Sequence, residues 1–278
     1  MVKEKSFFFS VGKVGTILTS TKTNILMNTK EEEKYWSQRH RLWSKYDDGI
    51  QMDDQSWYSV SPEAIAQHIA RKAAEGIRRS RGPGAAPPTL IIDAFCGAGG
   101  NAIQFAKYFD RVIAIDIDST KIELAKKNAA VYGVASKIEF LTRDFFEAVK
   151  TGLRADAIFL APPWGGPLYH YSAYYDLNDT LPSTPDILKA AGTITQNIIL
   201  YMPRHVRVEQ LTRMAKLGQC CEVEHNFIND KCKSCTAYYG DLVDEAKGGV
   251  DGERRPTDTS QETMTQVAKL CVSKRRKL

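Results

Sequence analysis

The rhythm of apolar and polar positions changes at Thr89. From there on, short apolar runs alternate with stretches of helical pattern. The strand candidates are Leu90–Phe95, Arg111–Ile117, Lys137–Leu141, Ala157–Ala161, Asn197–Met202, Cys221–Phe227 and Thr236–Leu242. Thr120–Tyr132 lies between two of the early ones and carries Ile122, Leu124, Ala125 and Ala129 at helical spacing. This βαβ order predicts an α/β fold: a seven-stranded, mostly parallel sheet with helices on both faces. A short, polar, helix-free stretch (Ile228–Cys235) joins the last two candidates, so an antiparallel strand is expected at the end of the sheet.

Upstream the pattern is helical. Residues 31–46 have helical composition with aromatics at Tyr35, Trp36 and Trp43. Ser61-Pro62-Glu63 reads as a helix start, with Ser61 as N-cap, Pro62 in the first turn and Glu63 at the positive end of the dipole. Ile65, Ile69 and Ala73 continue that helix. The expected layout is a poorly structured stretch at 1–30, a small N-terminal helical extension at 31–77 and a Gly/Pro/Arg linker at 78–88. A main domain at 89–244 and a disordered basic tail at 245–278, ending Lys274-Arg275-Arg276-Lys277, complete it.

Composition narrows the setting without choosing a function. Hydrophobic residues are 43% of the 278 and charged residues 26%, ordinary for a globular protein, and the net charge of +5 is compatible with a polyanionic ligand without requiring one. No apolar run reaches the roughly 18 residues of a membrane span, and Phe7-Phe8-Phe9 is interrupted too soon for a signal-peptide core. The expectation is a nuclear or cytosolic protein with no membrane partner; six cysteines without a dense framework suit a reducing compartment. Cys232 and Cys235, three apart on a candidate strand, face opposite sides of it, so no metal site is expected there.

Four motifs carry candidate chemistry. Ile92-Asp93-Ala94-Phe95-Cys96-Gly97-Ala98-Gly99-Gly100-Asn101 follows a strand and precedes a helix, and its glycines let the backbone approach a ligand. Glycines in this spacing also satisfy the loose dinucleotide fingerprint. Asp93 changes the balance, because a carboxylate there crowds a pyrophosphate but suits a cation or amine. S-adenosylmethionine has both a sulfonium and an α-ammonium. Ile115-Asp116-Ile117-Asp118 ends the next strand, where a carboxylate at Asp116 can accept ribose hydroxyls; Asp118 reads as the N-cap of the following helix. Asp144, in Arg143-Asp144-Phe145 after the third strand, can take an adenine amino group, with Phe145 packing on the ring. Leu160-Ala161-Pro162-Pro163-Trp164-Gly165-Gly166-Pro167 is the most specific. Two prolines end the fourth strand where open α/β sheets bind ligands, a rigid proline carbonyl accepts an exocyclic N–H, and Trp164 can stack on a flat ring.

With these residues in place, the chain resembles the trimethylguanosine synthase family, the RNA cap guanine-N2 methyltransferases. The likeness spans about residues 31–244. It includes Lys34-Tyr35-Trp36-Ser37-Gln38-Arg39, Tyr46-Asp47-Asp48-Gly49-Ile50, Ser59-Val60-Ser61-Pro62-Glu63 and Met202-Pro203-Arg204 besides the motifs above. The resemblance implies a Rossmann-like class I methyltransferase fold with S-adenosyl-L-methionine as cofactor. By the same resemblance Asp93, Cys96, Gly97, Asp116 and Asp144 would hold the cofactor, alongside Gly99, Ile117 and Phe145, with Ser61 closing over it. Trp164, Ala161 and Pro162 would form the reacting centre. Trp164 would stack on the methylated base, Lys34 and Arg204 would take the cap phosphates, and Trp43 would join the substrate site. The implied partner is 7-methylguanosine-capped small RNA, with small ribonucleoprotein core proteins beside it. A monomer in the nucleus or nucleolus, and also the cytoplasm, is implied as well. One departure from the family is Ala161, where serine is usual. Other readings are a tRNA or rRNA guanine-N2 methyltransferase, a nicotinamide oxidoreductase and a cap-binding protein without catalysis.

Overall fold

The computed structural model describes residues 35–84, 86–165, 174–180, 182–215 and 220–243, and the backbone of 263–271. Strands β1 (Leu90–Asp93), β2 (Arg111–Asp116), β3 (Ile138–Thr142), β4 (Ala157–Leu160), β5 (Ile198–Pro203), β6 (Cys220–Ile228) and β7 (Lys231–Tyr238) form one sheet in the order β3-β2-β1-β4-β5-β7-β6. The first five are parallel and β7 is antiparallel to both β5 and β6. This is the class I methyltransferase sheet expected from the alternation. Every residue of β4 and β5 is buried, since helices cover both faces of the sheet, and this is why the strands read as unbroken apolar runs.

One face carries helices α1 (Arg39–Leu42), α2 (Ser56–Ser59), α3 (Glu63–Arg81), α4 (Gly100–Phe105) and α5 (Ser119–Val131) around a core that includes Trp43, Ile65, Ile69, Phe105 and Phe159. The other carries α6 (Phe145–Val149), α7 (Thr184–Ala191) and α8 (Val208–Arg213), packed on Ile92, Ile113, Ile158 and Leu200.

The N-terminal extension departs from the expected pattern. Over the described part of that stretch, from Tyr35 on, the helix is interrupted at 37–38, α1 is four residues long, and a turn follows whose Gly49 takes φ 113°. Aromatic packing overrides helical composition here: Trp36, Tyr46 and Trp57 form a cluster with ring centroids 5.6–6.1 Å apart. The extension is locked to the main domain by buried polar contacts. Asn128 of α5, fully buried, accepts from the Gln51 amide and donates to the Gln51 and Ala98 carbonyls. Lys121, also buried, pairs with Asp53 at 2.7 Å.

Helix α3 runs 19 residues, past the expected linker start at Arg78 to Arg81, and Gly82 ends it with φ 84°. Its buried face is Ile65, Ala66, Ile69, Ala70, Ala73, Ala74 and Ile77, a stripe at helical spacing. Ser61 is not its cap: Pro62 occupies that position with no side-chain hydrogen bond, and the Ser61 hydroxyl is turned elsewhere. Midway along α3, Lys72 meets two buried carboxylates of β6, Glu222 and Glu224, each at 2.7 Å. His68 lies 3.0 Å from Glu224, the Tyr238 hydroxyl donates to Glu224 at 2.9 Å, and the Lys72 ammonium sits 4.1 Å from the Tyr238 ring centre.

One strand boundary is corrected and one strand is added. Strand β7 begins at Lys231, not Thr236, because Asn229 and Asp230 adopt positive φ and close a two-residue turn. The expected disordered tail contains β8 (Thr263–Cys271), antiparallel to β6 at the sheet's edge; the rest of 245–278, its basic end included, lies outside the described residues, as do residues 1–30. Among the described residues no helix is long and apolar enough to cross a membrane.

Burial pushes the Glu224 carboxyl up, but the Lys72 charge and the His68 contact more than offset it, so its pKa falls to about 2 from the usual 4.5. A depressed carboxylate contributes stability that is complete above the unfolded value and is lost as pH falls toward the folded one. The melting temperature is therefore expected to fall below about pH 4.5, and to fall less in Glu224→Gln. Lys72→Met, which removes the ammonium that faces two buried carboxylates, should cost about 3–5 kcal/mol in urea unfolding at neutral pH.

Candidate functional site

Parallel strands deliver their carboxyl ends to one edge of the sheet, and the candidate residues gather there. At the end of β1, Asp93 is fully buried, and among the described residues neither carboxylate oxygen has a hydrogen-bond partner of good geometry. Burial, then the neighbouring charge of Asp116, pushes its pKa up to about 8; the amides of Phe95 and Ala102 oppose this only in part. A buried orphan carboxylate costs folding free energy unless a cation or strong donor meets it.

Beyond Asp93 the chain makes a tight turn. The Cys96 amide reaches the Ile115 carbonyl and the Gly99 amide the Cys96 carbonyl, both at 2.9 Å. Gly97 (φ 51°) and Gly99 (φ 91°) have left-handed backbones. Their spatial roles differ. A Cβ at Gly99 would lie 3.0 Å from the Ala125 Cβ, whereas one at Gly97 would meet no atom of the described residues within 4 Å. Gly99 therefore serves helix packing, and Gly97 leaves open space beside the backbone, as a closely approaching ligand requires.

Asp116 at the end of β2 takes the Gly97 amide on one oxygen (2.9 Å) and the Asp118 amide on the other (3.0 Å), which fixes its orientation toward the turn. Burial raises its pKa against the pull of those amides. The next side chain, Ile117, is 71% exposed, a large apolar group at the mouth of the site. Asp118 caps α5 through the Thr120 amide, as expected. Asp144 caps α6 through the Glu147 amide with one oxygen. Phe145 does not present its ring as expected: it is buried in the core against Phe95, ring centres 5.5 Å apart, while Ile117 is exposed. The Cys96 thiol is buried and its pKa is driven up by that burial, so it packs as a neutral group.

The extension closes on this turn. Ser61 is buried and accepts from the Asn101 side-chain amide at 3.0 Å, while the Asn101 carbonyl oxygen has no partner. A Cβ on Gly100 would lie 3.2 Å from Val60, so the glycine lets the two segments meet. Trp43 is corrected as well. It is 1% exposed, its indole N–H donates to the Met52 sulfur at 3.1 Å, and it packs on Tyr132, leaving no face for a substrate.

At the end of β4, Ala161 is half-buried, Pro162 buried and Trp164 half-buried, with the Trp164 ring 5.6 Å from Tyr201 and tilted 32°. Tyr201, on β5, was not foreseen. It is buried, and its hydroxyl contacts Ser61 and Ser234, so one phenol supports the indole and joins the extension to the sheet. Strand alternation, which puts Ile199 and Tyr201 on one face, was the available signal. Asn101 was visible in the glycine motif without a role. Arg204 stands exposed just past β5, on the same edge. Lys34, Gly166 and Pro167 lie outside the described residues. Cys232 and Cys235 both fall on β7, Cys235 in the core and Cys232 half-buried beside His225.

A family model described as RNA cap guanine-N2 methyltransferase matches residues 88–242. The chain is 38% identical over 216 residues to a trimethylguanosine synthase of Schizosaccharomyces pombe, covering 76% of this chain and 86% of that protein. It is 35% identical over 190 residues to the trimethylguanosine synthase of Saccharomyces cerevisiae, covering 66% of this chain and 58% of that protein. A crystal structure of a putative methyltransferase from Porphyromonas gingivalis W83 shares the fold, with a TM-score of 0.55 at 13% identity over 75% of this chain and 48% of that one.

The residues thus fit a cationic ligand that also carries hydroxyls, as S-adenosylmethionine does. A carboxyl whose folded pKa is raised from 3.8 to about 8 loses its stabilising share as pH rises through that range, and a bound cation reverses the loss by ionising it. Titration calorimetry at neutral pH in buffers of different ionisation enthalpy should show proton release on S-adenosylmethionine binding. Asp93→Asn should remove that release and weaken binding about 10–100-fold; release unchanged in the variant would assign the proton to another group.

Proposed function

The chain belongs to the RNA cap guanine-N2 methyltransferase family, and we propose that it converts a 7-methylguanosine cap to 2,2,7-trimethylguanosine on small nuclear and nucleolar RNAs. S-adenosylmethionine supplies an electrophilic methyl group. Asp93 faces its positive charge, Asp116 takes the ribose hydroxyls, Gly97 gives the backbone room, and Asp144 with Ile117 borders the adenine. Ser61, held by Asn101, closes the site from the extension.

The observation that carries the substrate reading is Trp164, placed by two prolines at the end of β4 and backed by Tyr201. N7-methylation makes guanine a cation, and stacking a cation on an indole gains roughly 0.5–2 kcal/mol over a neutral ring. The carbonyls of Ala161 and Pro162 accept the exocyclic N–H bonds, orienting the nitrogen lone pair away from the ring and toward the methyl. Holding the two reactants in line supplies much of the rate, on the order of 7–11 kcal/mol at best. As the nitrogen–methyl bond forms and the carbon–sulfur bond breaks, the positive charge would pass from sulfur to nitrogen, and the resulting cation is acidic enough to lose its extra proton to water, so no dedicated base is required. Arg204, with Lys34, neutralises the cap phosphates. Alanine at position 161 removes one hydroxyl from the reacting centre but not the carbonyls. In the cell the protein acts as a monomer in the nucleus and nucleolus, and in the cytoplasm, on capped small RNAs and beside small ribonucleoprotein core proteins.

Incubation with S-adenosylmethionine and 7-methylguanosine triphosphate, followed by mass spectrometry, should give products one and two methyl groups heavier. Unmethylated GTP should remain unchanged. Trp164→Ala should lower kcat/KM at least about tenfold, near the upper end of the stacking energy. Equal turnover of GTP and its N7-methylated form would overturn the cap reading in favour of a general guanine methyltransferase.

A further inference from the structure

Beside the candidate base site, the structure leaves a second aromatic ring in the open. Tyr174 is 64% exposed, and the Arg207 guanidinium carbon lies 5.0 Å from its ring centre. Resting on the reading above, we propose that Tyr174 and Arg207 form a stacking platform for the first nucleotides of the RNA, beyond the cap's phosphates.

Position supports it. Arg207 is the residue ahead of α8, in the loop that leaves β5, and Arg204 opens that loop. Both arginines are exposed. β5 is hydrogen-bonded to β4, whose end bears Trp164, so the path from base site to platform runs along one edge of the sheet. Arg207 follows Arg204 by three residues in that loop, with Tyr174 against it.

The platform is also built. The Tyr175 amide donates to the His205 carbonyl at 3.1 Å, and Tyr175 pairs with Val206 in a parallel bridge. Tyr175 itself is buried, edge-on to His205 at 6.2 Å. Gln210 of α8 accepts from the Leu177 amide at 3.2 Å and donates to Asp176 at 2.8 Å. The backbone that follows Tyr174 is therefore tied to the segment that carries Arg207, and the ring is exposed beside it. Two acidic groups lie near: Glu209 in the first turn of α8, and Asp176, whose carboxylate is engaged by Asn178 and Gln210 and feels the Arg207 charge.

The chemistry suits a single strand. An exposed ring beside a guanidinium stacks any base and pairs with its phosphate, a sequence-tolerant combination. It suits a substrate whose identity is set at the cap and whose body varies.

The test compares 7-methylguanosine triphosphate with a short capped RNA on the same enzyme. Tyr174→Ala should raise KM for the capped RNA roughly tenfold, the size of one base–aromatic stack, with kcat unchanged and KM for the free cap unchanged. Tyr174→Phe should restore the RNA KM, because the ring and not the hydroxyl does the stacking. Arg207→Ala should raise it too and flatten its salt dependence by about one ion. Methylation of both substrates with the same RNA-to-cap KM ratio in wild type and Tyr174→Ala would overturn the platform alone. A wild-type protein that methylates neither substrate would overturn the cap reading and the platform with it.

Discussion

Five strands run in one direction, and that constraint decides where the chemistry sits. Parallel β1, β2, β4 and β5 bring Asp93, Asp116, Trp164 and Arg204 to a common edge, although 111 positions separate the first from the last. Were one of these strands reversed, its side chain would move to the far end of the sheet. The buried Asp93 is tolerable only in this setting. The turn that follows it holds Asp116 in place with two amides, and the same turn offers open space at Gly97. Destabilisation of the free protein and affinity for a cationic ligand are two sides of one burial.

The N-terminal extension completes a half-built site. Asn128 ties it to the glycine turn through the Ala98 carbonyl, Lys121 ties it through Asp53, and Ser61 meets Asn101. These are buried polar contacts, directional in a way that apolar packing is not, so the extension has one register against the domain. Tyr201 stands where the extension, the indole of Trp164 and the β7 hairpin meet.

Much of this was legible along the chain. Strands buried on both faces read as apolar runs, and the motifs that close them name the edge where ligands bind. What was not legible depended on partners distant in sequence. The Ser61 hydroxyl has the composition of a helix cap but is taken by Asn101, 40 residues on. Trp43 and Phe145 are aromatic beside motifs, and only packing tells that both are buried. Strand β7 starts early because Asn229-Asp230 turns the chain, a local signal carried by the dipeptide itself. Strand β8 leans on the edge of β6 rather than on any pattern that its Gly- and charge-rich surroundings would advertise.

The Lys72 cluster has a consequence for the newborn chain. Its ammonium and the Glu222 carboxylate are 150 residues apart in sequence. During synthesis from the N-terminus, α3 emerges long before β6 exists, so Lys72 stays in water without its carboxylate partners while Asn101, Lys121 and Asn128 are already present to seat the extension. Loop closure over that distance is slow compared with helix formation. The cofactor turn and the contacts that seat Ser61 over it can form on earlier strands and helices, and the last hairpin adds the buried charge lock on α3. A nascent chain halted before Cys220 would thus carry the Asp93 turn and its cover without that lock.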